Sequence, residues 1–156
     1  LIGFSMGALT ALRLATRQPT RFRRIVLSGI GRNVFEHDAE RGARILAGLE
    51  GRADPDDNEA RLFGQYAAQP GNDPLALAAI MRRPDEGPFT ADELGAVTCD
   101  VLVVIGDRDF AAPADPLVAA LPSSRLVVLR NVDHFATPES FGFIDAALEF
   151  LDAIPG

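Results

Sequence analysis

The chain has 156 residues, 47% apolar and 24% charged, with a net charge of −7. That is enough for one compact domain with a real core, and no apolar run approaches the ~20 residues that span a bilayer. Arg23-Arg24 and Arg82-Arg83 are isolated basic pairs, too sparse to track a phosphate backbone, so nucleic acid is not an expected partner.

Gly3-Phe4-Ser5-Met6-Gly7 stands at the start of the chain. It has the G-x-S-x-G form of a nucleophile elbow, in which a serine sits on a strained bend between a strand and a helix. Such a bend asks for small residues on both sides, here Gly3 and Gly7. Ala8 to Thr16 follows as a helix-forming run rich in Ala and Leu. Leu1 and Ile2 then read as the last residues of a strand. The first residue is Leu rather than Met, and the expectation is the C-terminal part of a longer protein, beginning just before its nucleophile.

Pro19 ends the first helix. Arg24 to Ser28 is a short apolar run closing at Gly29-Ile30-Gly31, read as a buried strand. Residues 32 to 97 contain no strand-like run. Ala43 to Leu49, Arg61 to Ala68 and Leu75 to Met81 are predicted helices. Asp54-Pro55 and Asp73-Pro74 each have the form of an N-cap with a first-turn proline. Thr90-Ala91-Asp92-Glu93 fits a capping box. This stretch reads equally as a cap inserted over a site or as surface helices with no gating role.

Val101 to Ile105 is the clearest strand, a continuous apolar run suited to a parallel strand covered on both faces. Cys99, the only cysteine, precedes it as a buried, inert thiol. A helix from about Asp115 to Leu121, with Pro116 in its first turn, leads to a third strand, Leu126 to Leu129. A closing helix is predicted from Pro138 to Ile154, capped by Thr137. Its residues Phe141, Ile144, Ala147, Leu148 and Leu151 are expected to face the sheet. Strands alternating with helices make the fold class α/β with a parallel sheet.

A serine nucleophile needs a base, and the base needs an orienting carboxylate. The chain has two histidines. His37 lies among Glu36, Asp38 and Glu40 and reads as a solvated surface residue. His134 follows the strand Leu126–Leu129, at the strand end where α/β proteins build their sites, and is the expected base. Gly106-Asp107-Arg108-Asp109-Phe110 follows Val101–Ile105 and supplies the acid. Asp109 is preferred, with room to turn back after Gly106, while Asp107 is expected to face water or pair with Arg108. Asp133 adjoins His134, so the two side chains cannot readily face each other.

Ser5, Asp109 and His134 thus occur in the order nucleophile, acid, histidine. Gly106-x-x-Asp109 follows its strand, and Asp133-His134-Phe135 precedes a closing helix. In these motifs the chain resembles the α/β-hydrolase superfamily, serine hydrolases with a helical cap, over essentially its whole length. The resemblance implies strands five to eight of an eight-stranded sheet. Residues 1–31 and 98–156 would form the partial core and residues 32–97 the cap. Relatives often carry Pro where Asp100 enters the acid strand, a departure that leaves the chemistry untouched.

The implied activity is hydrolysis of an ester or related acyl bond through an acyl-enzyme on Ser5. The backbone N–H of Met6 would be one oxyanion-hole donor, and the resemblance places the second in a loop ahead of this chain. Phe110 and Phe135 flank the acid and base, as lining of an acyl pocket or as core. A small-molecule acyl substrate is expected, with no metal or cofactor. The same fold and triad also serve carbon–carbon bond hydrolases and cofactor-free haloperoxidases, and fold alone does not choose among them. The other alternative is a non-catalytic binding member or an inert fragment, and the intact triad argues against the binding member. All 15 basic residues are Arg, which with abundant Ala, Gly and Pro suggests a GC-rich bacterial genome, and a cytoplasmic location is expected.

Overall fold

The structure, a computed structural model, describes residues 1–36, 38–84 and 86–153. Four strands, β1 (Ile2–Phe4), β2 (Arg24–Ser28), β3 (Asp100–Gly106) and β4 (Ser124–Leu129), pair in parallel in the order β1-β2-β3-β4. The register aligns Phe4 with Ser28, Ser28 with Val104, and Gly106 with Leu129. The C-terminal ends of all four strands therefore lie at one edge, where the loops carrying Ser5, Asp109 and His134 emerge.

Each central strand has an apolar middle, Ile25–Leu27 in β2 and Val101–Ile105 in β3, because both of its faces are covered. Ile25 and Leu27 of β2 and Val101, Val103 and Ile105 of β3 share one core with Ala8, Ala11, Leu12 and Ala15 of α1 (Met6–Arg17). The alternate residues Val26, Leu102 and Val104 form a second core with Ala147 and Phe150. The outer strands are only half covered, with Ile2 and Val128 each 51% exposed.

The chain divides into two compact units, Leu1–Glu36 with Pro88–Gly156, and His37–Gly87. In the first, a 3-10 turn at Arg32–Val34 brings Val34 to Phe89, whose N–H donates to the Val34 carbonyl at 2.8 Å. Val34, Phe89, Leu94 and Val97 all join the α1-side core. The second unit holds α2 (Ala39–Leu49), α3 (Asn58–Ala67) and α4 (Pro74–Met81), with a small core of Ile45, Leu49 and Ala67. There α2 and α3 cross at glycine: a Cβ on Gly48 would lie 2.1 Å from the Ala60 carbonyl oxygen.

Asp73 caps α4 with Pro74 in its first turn, as the sequence predicts. Asp54 does not cap a helix. Its carboxylate accepts from Asp56 N–H at 2.9 Å, closing a local turn, and Asp57 caps α3 instead. The capping box is present at the start of α5 (Ala91–Gly95). The expected helix near Pro116 is α6 (Asp115–Ala120).

The closing helix differs from expectation. Thr137–Glu139 is a separate 3-10 turn, and α7 (Phe141–Phe150) starts from Ser140 in an extended conformation. That bend resets which side faces inward. Phe143, Ala146, Ala147, Phe150 and Leu151 meet the sheet, while Phe141 is 82% exposed and Ile144 also points outward.

Candidate active site

Ser5 joins β1 to α1 at φ 52°, ψ −118°, a left-handed conformation for a residue that has a Cβ. Such a conformation costs of order 1–3 kcal/mol and persists only where the surroundings impose it. Here Ser5 N–H donates to the Ser28 carbonyl at 2.8 Å, tying the bend to the end of β2. Gly3 is required by contact, since a Cβ there would lie 2.5 Å from the Gly7 carbonyl oxygen. Gly7 has open space where its Cβ would be, so only one of the two glycines is demanded by sterics.

Ser5 Oγ lies 2.9 Å from His134 Nε2, and His134 Nδ1 lies 2.8 Å from Asp109 Oδ2. The other carboxylate oxygen, Oδ1, accepts from Ala111 N–H at 2.8 Å. Asp109 and His134 are 5% and 3% exposed. An ionised carboxylate only accepts, so His134 Nδ1 carries the proton it donates to Asp109. In a neutral ring that tautomer leaves Nε2 to accept from the Ser5 hydroxyl. The structure thus brings together all three residues singled out in the sequence.

The imidazole is packed among rings. Phe4 lies 4.8 Å from it, Phe110 4.2 Å and Phe135 5.6 Å, centroid to centroid. Phe110 and Phe135 therefore adjoin His134. Phe4 and Gly29 were not singled out in the sequence. At φ 68°, Gly29 has no side chain to intrude: a Cβ there would stand 2.7 Å from the Phe4 ring and 3.0 Å from His134 Cε1. The only local signal was a glycine directly after a buried strand.

Asp107 is exposed, as expected, but it does not pair with Arg108. Its carboxylate accepts from the backbone N–H of Asn131 at 2.7 Å, and Arg108 donates to the side chain of Asn131, not to Asp107. Asp133 caps the turn after the histidine, accepting from Ala136 N–H at 2.9 Å, which occupies it away from the imidazole. Met6 opens α1, so its N–H belongs to the first-turn donors that have no intrahelical acceptor. His37 lies outside the described residues. Among the described residues every buried side-chain nitrogen and oxygen has a hydrogen-bond partner, and no helix is long and apolar enough to cross a membrane. Cys99 is buried, and burial raises its thiol above the ordinary value.

A model of the "Alpha/beta hydrolase family" matches residues 1–152. The serine hydrolase BPHL of Mus musculus is 28% identical over 142 residues, covering 86% of this chain and 47% of that protein. The chain thus spans about half the length of that curated relative. Among solved structures, the enol-lactonase from Burkholderia xenovorans LB400 superimposes with a TM-score of 0.72 at 21% identity, over 97% of this chain and 64% of that one. A thermophilic esterase from Thermogutta terrifontis gives 0.70 at 21% identity, over the same shares. At such identities the likeness to solved structures is one of fold.

Proposed function

The chain belongs to the alpha/beta hydrolase family, and from that premise we propose that it carries the catalytic half of a serine hydrolase acting on an ester or related acyl bond. The observation that carries the reading is the unbroken contact chain Ser5 Oγ, His134 Nε2, His134 Nδ1, Asp109 Oδ2. In this reading Ser5 Oγ attacks the acyl carbon as its proton passes to Nε2. The resulting imidazolium is held by Asp109, which also fixes the ring's tautomer. Met6 N–H is one donor to the oxyanion.

Collapse of the tetrahedral intermediate breaks the bond to the leaving group, which takes the proton from Nε2. A water, deprotonated by the same nitrogen, then attacks the acyl-enzyme. The carboxylic acid leaves and Ser5 recovers its proton. Phe110 and Phe135, which pack against His134, are proposed to line the acyl side of the site, and residues 32–97 to serve as its cap.

The test uses a fluorophosphonate probe and p-nitrophenyl esters on the full-length protein. Ser5→Ala should abolish labelling. Asp109→Asn should lower turnover by about 10⁴, because an amide facing Nδ1 favours the wrong tautomer. Labelling of Ser5→Ala at the parental level would overturn the reading.

A further inference from the structure

The loops bearing the acid and the base are stitched together where they leave the sheet. The β3–β4 ladder closes at Gly106 and Leu129, with Asp107 N–H donating to the Leu129 carbonyl at 2.9 Å. The next donor, Arg108 N–H, reaches the Val132 carbonyl at 3.1 Å. One step along the acid loop thus spans three along the histidine loop, which bulges outward at Arg130 and Asn131. Asn131 takes a left-handed conformation there, φ 58°. Its backbone N–H, displaced from the ladder, is taken by the Asp107 carboxylate at 2.7 Å, and its side-chain oxygen by Arg108 Nη2 at 2.8 Å.

The bulge also presses Val132 against Gly106: a Cβ on that glycine would lie 2.0 Å from the Val132 carbonyl oxygen. Bulges beside active sites re-aim the side chains that follow them. Asp107 lies two residues before Asp109, and Asn131 three before His134.

We propose that Asp107 is a positioning residue. Its carboxylate replaces the missing ladder acceptor for Asn131, fixes the bulge, and so aims His134 at both Asp109 and Ser5. This rests on the functional reading above, in which those three residues do the chemistry. What matters in Asp107 is an acceptor oxygen at that place, not its charge. Asp107→Asn keeps such an oxygen, whereas Asp107→Ala removes it and leaves the Asn131 N–H to water.

The experiment compares these two variants in the full-length protein, using fluorophosphonate labelling of Ser5, p-nitrophenyl butyrate turnover, and the ring N–H proton resonance of His134. Asp107→Ala is expected to slow labelling and lower kcat about tenfold with KM nearly unchanged, a fraction of the ~100-fold that a 1 Å misplacement can cost. The His134 resonance should broaden or shift in that variant. Asp107→Asn should restore all three readouts. Parental kcat and an unmoved resonance in Asp107→Ala would overturn the proposal, and so would equal impairment in both variants, which would assign the effect to charge. A parent protein that is not labelled at Ser5 would sink the functional reading instead. The resonance would then still decide whether Asp107 holds the imidazole.

Discussion

Gly29 shows how tightly the site is packed at the scale of one residue. A methyl group there would meet the Phe4 ring at 2.7 Å and His134 Cε1 at 3.0 Å, on a backbone held at φ 68°. The left-handed conformation alone costs an L-residue about 1–2 kcal/mol, and one of the contacts falls on His134, the proposed base. Gly29→Ala should therefore slow Ser5 labelling by about tenfold or more, beyond what its loss of melting temperature explains. Adding Phe4→Leu should recover part of that rate, because the two side chains compete for one space and their effects are not additive. Independent, additive effects of the two substitutions would show that the Phe4 contact is not the obstacle.

Among elements, α5 is held by its first turn. Glu93 accepts from Thr90 N–H at 2.8 Å and from Arg13 of α1 at 2.8 Å, while the Thr90 hydroxyl accepts from Glu93 N–H. The Arg13 guanidinium also lies 3.7 Å over the Phe89 ring. The Thr90 backbone N–H, then its hydroxyl, then Arg13 hold the Glu93 carboxyl below its ordinary value. A lowered folded value means this stabilisation is present in full above the unfolded carboxylate value of about 4.3. It is lost as pH falls through the folded one. Replacing Glu93 by Gln should flatten that part of the acid limb in urea titrations, and Thr90→Ala should cost about 1 kcal/mol as a lost cap. An unchanged acid limb in the Gln variant would show that α5 carries none of it.

In α2 two glycines of one helix should respond with opposite sign. Gly42 has open space around a Cβ, and Gly48 has the Ala60 carbonyl oxygen at 2.1 Å. Gly42→Ala should raise stability by up to about 1 kcal/mol through helix propensity. Gly48→Ala should lower it by about 1–3 kcal/mol through overpacking against α3. Chemical denaturation of the two variants checks this, and a shared sign would mean that the α2–α3 crossing relaxes.

The elements show what the sequence could and could not reveal. Arg24–Ser28 was legible to the residue, and Val101–Ile105 nearly so, because a strand covered on both faces is one apolar run. The face of α7 was legible only in part: Ala147 and Leu151 meet the sheet as expected, whereas Phe141 and Ile144 do not. Phe141-Ile144-Leu148 and Phe143-Ala147-Phe150 are both apolar stripes at helical spacing, and the bend at Ser140 decides between them. The site divides the same way. The meeting of Ser5, His134 and Asp109 was legible because a chain with two histidines leaves few ways to build a relay. The contacts of Asp107, Asn131 and Gly29 were hidden. They depend on backbone groups brought together from loops far apart in sequence, and no residue type announces a displaced N–H.

The whole molecule has two units with separate cores, and the chain crosses between them at two points that are already joined. Val34 and Phe89 are hydrogen-bonded at 2.8 Å, and both are buried in the core of the sheet unit. The residues named on both faces of the sheet, and all three members of the proposed relay, belong to that unit. Replacing residues 37–87 by about four Gly and Ser residues, within the full-length protein, closes a short loop in place of a long one. Loop closure then costs less entropy, and no core residue of the sheet unit is removed. The expected product melts cooperatively and still labels at Ser5. A non-cooperative melt with dye binding typical of a loosened core would show that the sheet unit depends on the insertion. The same variant tests residues 32–97 as a cap: selectivity among p-nitrophenyl esters of different acyl length should change, because the proposed cap is then largely gone. If selectivity stays parental while Ser5 remains reactive, the insertion is a set of surface helices and the acyl specificity resides in the sheet unit, with Phe110 and Phe135 the first residues to vary.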